Sequence, residues 1–165
     1  MSPLAERFAA FEEVPPPDLF GDPIGRLPAY RIALFLSDLL PGDTSMLWRT
    51  RCPPYIVDQL AKAVDSIRAN ISEGYSKFSG RERARYYETA LCSAREARDW
   101  YRRAIPWLGK AEAYERGALV TRVIKILLVA VPQERSGANE YRLRRKFRDG
   151  KKEDGRSDSD PDAKP

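Results

Sequence analysis

The stretch Ile56-VDQLAKAVDSIRANISEG-Tyr75 carries apolar side chains at three- and four-residue steps: Ile56, Leu60, Ala63, Val64, Ile67 and Ile71. That period gathers them on one stripe of an α-helix, which needs a second element to cover it. Beside the stripe, Ser66 and Asn70, then Asn70 and Glu73, fall on adjacent turns of one side. A half-buried amide and carboxylate need hydrogen-bond partners, most simply on a facing helix. Ser93 and Glu96, or Arg95 and Arg98, are available. The expected polar network is therefore Ser66, Asn70, Glu73, Ser93 and Glu96, read first as a device that sets helix register and second as a ligand contact.

Working outward, Pro53-Pro54 opens this helix where first-turn N–H groups lack partners anyway, and Gly74 is placed to end or bend it. Upstream, Tyr30, Ala33, Leu34, Phe35, Leu36, Leu39 and Leu40 make a short helix that is apolar almost all round, and Pro41-Gly42-Asp43 is expected to stop it. Downstream, Ser79 and Glu82 have the spacing of a capping box. They introduce a long helix over Gly80 to Ile105 with the seam Tyr87, Ala90, Leu91, Ala94, Ala97, Tyr101 and Ile105, closed by Pro106. A last helix is expected over Ala111 to Val131, with Val120, Val123, Ile124, Leu127, Leu128 and Val131 inside and Pro132 at its end. No segment alternates with period two. The pattern predicts an all-α fold, an antiparallel up-and-down four-helix bundle over residues 29–135.

The flanks differ in composition. Residues 1–28 contain Pro15-Pro16-Pro17, Pro23 and Pro28 without a sustained period, and are expected as a disordered proline-rich arm. Residues 136–165 hold a basic block that includes Arg142, Arg144, Arg145 and Lys146, then an acidic end. That blocky charge predicts a disordered tail with one transient helical stretch over Tyr141 to Phe147.

Composition narrows the chemistry. The 165 residues include no histidine, two cysteines and a formal charge of +5. Without histidine there is no His-based metal site and no Ser-His or Cys-His nucleophile. Cys52 and Cys92 are isolated, so free thiols in a reducing cytoplasm are expected rather than a disulfide framework. Glu73 and Glu96 do not make a complete metal site, because carboxylate-bridged bundles use a Glu-x-x-His pair on two helices. Gly74 and Gly80 are isolated, so no phosphate-cradling glycine loop is present. The expectation is a non-enzymatic protein without cofactor or metal. The acidic N-terminus is wrong for a signal peptide, and the longest apolar run, Ile126 to Val131, is far below the roughly 20 residues a bilayer requires. A cytoplasmic location with no membrane partner is expected.

The motif Ser66-Ile67-x-Ala69-Asn70-Ile71-Ser72-Glu73-Gly74-Tyr75, followed by Ser79, Glu82, Tyr86-Tyr87-x-x-Ala90 and Ser93-x-x-Glu96, resembles the bacterial four-helix-bundle proteins known as 23S rRNA intervening-sequence proteins. Their relative is the accessory variability determinant of diversity-generating retroelements. The resemblance covers about Leu27 to Val131. Cys92 and Arg98 depart from it, standing where the family usually has glycine and often a second glutamate. It implies a homopentameric barrel with a basic surface, which in the retroelement branch binds a reverse transcriptase and its template RNA. It implies no catalytic residues.

The residues themselves offer nucleic-acid-binding candidates. Arg81, Arg85 and Arg103 project away from the Ala94 seam, with Arg95 and Arg102 on its flank. Lys77, Arg81 and Arg83 cluster at the start of the long helix, where cations oppose the helix dipole and so point to a role outside the helix. Arg142, Arg144, Arg145 and Lys146 of the tail form a second candidate. The bland reading is a solvated face laced with weak ion pairs. Trp100 and Trp107, seven residues apart, read as core or subunit interface, and Trp48 as an exposed loop residue. The functional expectation is an oligomeric, RNA-binding adaptor, with a reverse transcriptase as the further partner the resemblance implies. The alternative is a protein–protein scaffold with no nucleic-acid affinity.

Overall fold

The computed structural model describes residues 3–14, 19 and 21–137. The tail candidates Arg142, Arg144, Arg145 and Lys146 lie outside these residues. Among them the chain is all-helical: α1 (Pro3–Glu13), a 3-10 turn (Pro23–Arg26), α2 (Pro28–Arg49), α3 (Pro54–Tyr75), α4 (Gly80–Arg103), α5 (Ile105–Leu108) and α6 (Lys110–Arg135). The four long helices pack in a closed cycle, α2 on α3, α3 on α4, α4 on α6 and α6 on α2. Cross-helix pairs give the direction. Ser66 meets Ser93 while Gly74 meets Tyr86 and Tyr87, so α3 and α4 run antiparallel. No helix among the described residues is long and apolar enough to cross a membrane.

The expected stripes face the core. Leu60, Val64, Ile67 and Ile71 of α3 are sealed from solvent, as are Ala90, Ala94, Ala97 and Tyr101 of α4. Three alanines in that seam let α3 and α6 approach α4 closely from either side. Gly74 serves the same packing rather than a helix end. A Cβ there would sit 2.9 Å from the Tyr87 ring and from the Tyr86 Cβ, well inside ordinary contact distance.

Two prolines do not act as expected. α2 continues through Pro41 to Arg49 instead of stopping at Pro41-Gly42-Asp43. The missing N–H removes one intrahelical hydrogen bond, the one to the Ser37 carbonyl, but Pro41 stands on the exposed side of the helix. The continuation is fastened by tertiary contacts: Leu47 is fully buried and Asp43 is 3% exposed. Likewise α6 runs past the exposed Pro132 to Arg135, because Glu134 is drawn into the structure by Arg83. Leu128, expected inside, is 49% exposed. Ser79 has the extended dihedrals of an N-cap, yet its side chain makes no capping hydrogen bond, so the capping box is not formed.

The expected disordered arm is corrected over much of its length. α1 buries Leu4 and Phe8, and the Phe8 and Phe11 rings lie 5.1 and 5.2 Å from that of Phe35 on α2. Arg31 donates to the Phe11 carbonyl at 2.8 Å and to that of Glu12, satisfying the carbonyls that a helix C-terminus leaves open. Eleven residues hold too few apolar positions to show a clear period, and the partner ring supplies the missing reason for order.

One buried polar cluster joins three helices. Asp43 of α2 accepts from Tyr101 Oη at 3.1 Å, from Arg116 Nε at 3.2 Å and from Arg116 Nη2 at 3.0 Å. Burial, with the Asp43 charge, holds the Tyr101 hydroxyl well above its ordinary pKa. Burial and Glu134 push Tyr87 up to about 12. Both phenols are thus favoured neutral in the folded state. Their stabilisation is complete below the unfolded tyrosine pKa of about 10 and is lost as pH rises from there towards and beyond about 12. Denaturant titrations are expected to show stability falling steeply above about pH 10. Tyr101→Phe is expected to cost about 1.5–3 kcal/mol at neutral pH, because it removes a hydrogen bond to a charged acceptor, and to flatten the alkaline fall.

Candidate nucleic-acid interface

α4 brings six exposed arginines to the surface: Arg81, Arg85, Arg95, Arg98, Arg102 and Arg103. They divide into groups that helical spacing alone does not separate. Arg81, Arg85 and Arg95 stand on the outer ridge. Arg98 and Arg102, one turn apart, line the side facing α6. Arg103 turns to the other flank, where its guanidinium lies 4.7 Å from the Trp100 ring centre.

Between α4 and α6 lies an open groove of about 760 Å³. Its floor comes from small residues one turn apart on α6, Ala113, Gly117 and Thr121, with Ala118 beside them. No atom comes within 4 Å of where a Gly117 Cβ would stand, so the glycine leaves the floor open. Arg98 and Arg102 rise on one wall, and Arg122 and Lys125 on the other. Asp99 is the one carboxylate lining it, and Tyr114, 57% exposed, adds an aromatic ring. Four cations against one anion make the groove a positive concavity, where the low-dielectric walls strengthen the field above that of scattered surface charges. Arg122 is shared with α1: it lies 3.5 Å from Glu12 Oε1 and 4.7 Å from the Phe8 ring centre.

The sequence-based candidates fall on both sides of a structural division. Arg102 lines the groove, and Arg81, Arg85 and Arg95 remain available on the ridge beside it. Arg83 is occupied, and Lys77 is paired at the surface. Lys77 lies 3.6 Å from Glu73 Oε1 and 4.9 Å from the centre of the Tyr86 ring. Arg83 Nε donates to Glu134 Oε2 at 2.8 Å, and its Nη1 donates to the carbonyls of Lys77 at 2.6 Å and Phe78 at 3.2 Å. Its function is to clamp the turn between α3 and α4 onto the end of α6. Gly80 completes that clamp, since a Cβ there would meet the Glu134 carbonyl oxygen at 2.5 Å.

The expected polar network is half formed. Ser66 and Ser93 share a hydrogen bond of 2.9 Å across α3 and α4, and Asn70 Nδ2 donates to Ser66 Oγ at 3.0 Å and to the Ser66 carbonyl at 2.8 Å. Glu73 and Glu96 are exposed and lie outside it. Glu73 pairs with Lys77, and Glu96 accepts from Trp100 Nε1 at 3.3 Å. The reason is rotational: one more turn along each helix carries the longer acid side chain out to solvent. The network therefore fixes register between α3 and α4, and its two acids do not converge on a metal position.

Arg98, Arg122 and Lys125 are the groove cations that sequence reading did not propose. The signal was present as cations three or four residues apart on two helices, beside the Ala113-Gly117-Thr121 ladder of small residues. Recognising it required knowing that the two helices are neighbours.

The division between occupied and free arginines has a measurable consequence. Arg83→Gln removes the bond to Glu134, 8% exposed, and those to the Lys77 and Phe78 carbonyls, and is expected to cost about 1.5–3 kcal/mol in denaturant unfolding. Arg81→Gln, on the exposed ridge, is expected to change stability by less than about 0.5 kcal/mol.

The family model described as 23S rRNA-intervening sequence protein matches residues 50–127. Comparison with curated proteins gave no match, and neither did comparison with solved structures. The matched span begins at the end of α2 and takes in α3, α4, α5 and α6 as far as Leu127, so it contains the Ser66–Asn70–Ser93 network and every wall of the basic groove. Over residues 50–127 the chain is therefore similar to the 23S rRNA-intervening sequence protein family.

Proposed function

We propose that this chain is a non-enzymatic, cytoplasmic RNA-binding bundle whose α4/α6 groove receives the phosphate backbone. The observation that carries the reading is the convergence of Arg98, Arg102, Arg122 and Lys125 on a concavity floored by small residues. Phosphate contacts from arginine and lysine supply affinity without sequence readout, and a groove of this kind tracks a backbone. Arg81, Arg85 and Arg95 extend the positive field along the ridge of α4. The family name, which refers to ribosomal RNA, is in keeping with an RNA partner.

Self-association belongs to the same proposal. Leu128, 49% exposed on α6, lines a second groove with Leu91, Val131 and Pro132, edged by Glu88, Arg135 and Ser136. Apolar side chains grouped in this way fit a contact between subunits. A ring, the pentamer above all, would repeat the basic groove around an axis and turn a modest charge per copy into one large field. A reverse transcriptase is the protein partner that the retroelement resemblance adds to this proposal.

The test is a pair of double charge reversals, with far-UV circular dichroism to confirm folding. Arg98→Glu with Lys125→Glu is expected to weaken RNA binding at least tenfold at low salt. It is expected to reduce the slope of log affinity against log salt by about 1.4 or more, the share of two phosphate contacts. Arg81→Glu with Arg85→Glu is expected to have the smaller effect. Unchanged affinity in the groove variant, or a larger loss in the ridge variant, would reject the groove as the binding surface.

A further inference from the structure

On the flank of α4 away from the groove, three side chains hold flat groups at the surface. Tyr55, in the first turn of α3, is 52% exposed. Its ring meets that of Trp100 edge-on, with centroids 6.3 Å apart and planes at 76°. The Arg103 guanidinium lies 4.7 Å from the Trp100 ring centre and 5.9 Å from that of Tyr55, and Nη2 donates to the Tyr55 hydroxyl at 3.4 Å. Glu96 accepts from the Trp100 indole N–H at 3.3 Å, which fixes the orientation of the indole ring. Trp100 rests partly on the core, whereas Tyr55 and Arg103 are exposed. The cluster is thus anchored from below and open above.

We infer that Tyr55, Trp100 and Arg103 form a stacking platform for an unpaired nucleobase, so that the RNA taken by this face is single-stranded. The inference rests on the RNA-binding reading above and specifies its substrate class. Three observations carry it. First, base stacking needs a planar aromatic or guanidinium face held in advance at the surface, and each of these groups is held by another. Second, the cation is an arginine over the Trp100 ring, and arginine offers a base a planar group as well as a charge that favours the strand. Third, Arg102 and Arg103 are consecutive: one lines the groove and the other belongs to the platform. The two flanks are separated by the body of one helix, about 10 Å across. Phosphates in the groove and a base on the platform therefore belong to one strand crossing the C-terminal half of α4. In a duplex the bases stay stacked on one another, so a duplex has only the groove to use.

The test compares an unstructured RNA strand with a blunt RNA duplex of equal phosphate number, each labelled and titrated with the full chain at low salt. Arg103→Lys keeps the charge and removes the plane, and Tyr55→Leu removes the ring. Both sites are exposed, and circular dichroism with thermal melting verifies that each variant is folded. Each variant is expected to weaken binding of the single strand about fivefold or more and to leave duplex affinity unchanged. Equal losses on both RNAs, or no loss on the single strand, would overturn the platform. Arg98→Glu separates the two readings. If it weakens binding to both RNAs while the platform variants change neither, this inference falls alone. If the unaltered chain binds neither RNA, the RNA-binding reading and the platform fall together.

Discussion

Asp43 is a buried carboxylate held by one arginine and one tyrosine, and three of the four long helices meet on it. Taking a charge from water is costly, and only close, well-aligned partners offset that cost. Arg116 supplies two hydrogen bonds in a forked arrangement and Tyr101 a third, so α2, α6 and α4 can reach this geometry in a single register. The same demand explains the course of α2. A helix ending at Pro41 would leave Arg116 and Tyr101 without their acceptor, and the loss of one backbone hydrogen bond at a solvent-facing proline is the smaller penalty.

At the opposite end of the α4/α6 pair, Arg83 and Glu134 form the second fastening, with Gly80 allowing the close approach. Between the two fastenings the helices are held at a fixed separation. The groove exists because that separation is spanned by Ala113, Gly117 and Thr121 instead of large side chains. Its cations are consequently carried on rigid elements, which is the condition for a positive concavity to act on a strand without first being ordered. The architecture thus links a buried acid on α2 to the shape of a basic surface formed by α4 and α6.

The α3/α4 contact shows how much local pattern conveys. Ser66, Asn70 and Ser93 lie where their helical spacing puts them, and the apolar stripes of both helices are buried throughout. Glu73 and Glu96, read by the same rule, point to solvent, because spacing gives a direction around the axis but not the edge at which burial stops. The N-terminal arm illustrates a different limit. Phe8 acquires its role only against Phe35 and Arg122, so no local pattern foretells that α1 will be ordered.

The arginines carry the division furthest. Arg81 and Arg83 are two residues apart with identical side chains, yet one is free on a ridge and the other is bound to Glu134 and two carbonyls. By itself the sequence determined that the chain would form long amphipathic helices, that they would bury their stripes on one another, and that the chain would carry a net positive charge. Those properties follow from period and composition, which are local. Only the tertiary structure decided that α2 and α6 pass through their prolines, that Arg83 is spent on folding, and that Arg98, Arg102, Arg122 and Lys125 share one groove. A charge acts on what stands near it in space, and which helices are neighbours is settled by packing and by the buried Asp43, not by the distance between residues along the chain.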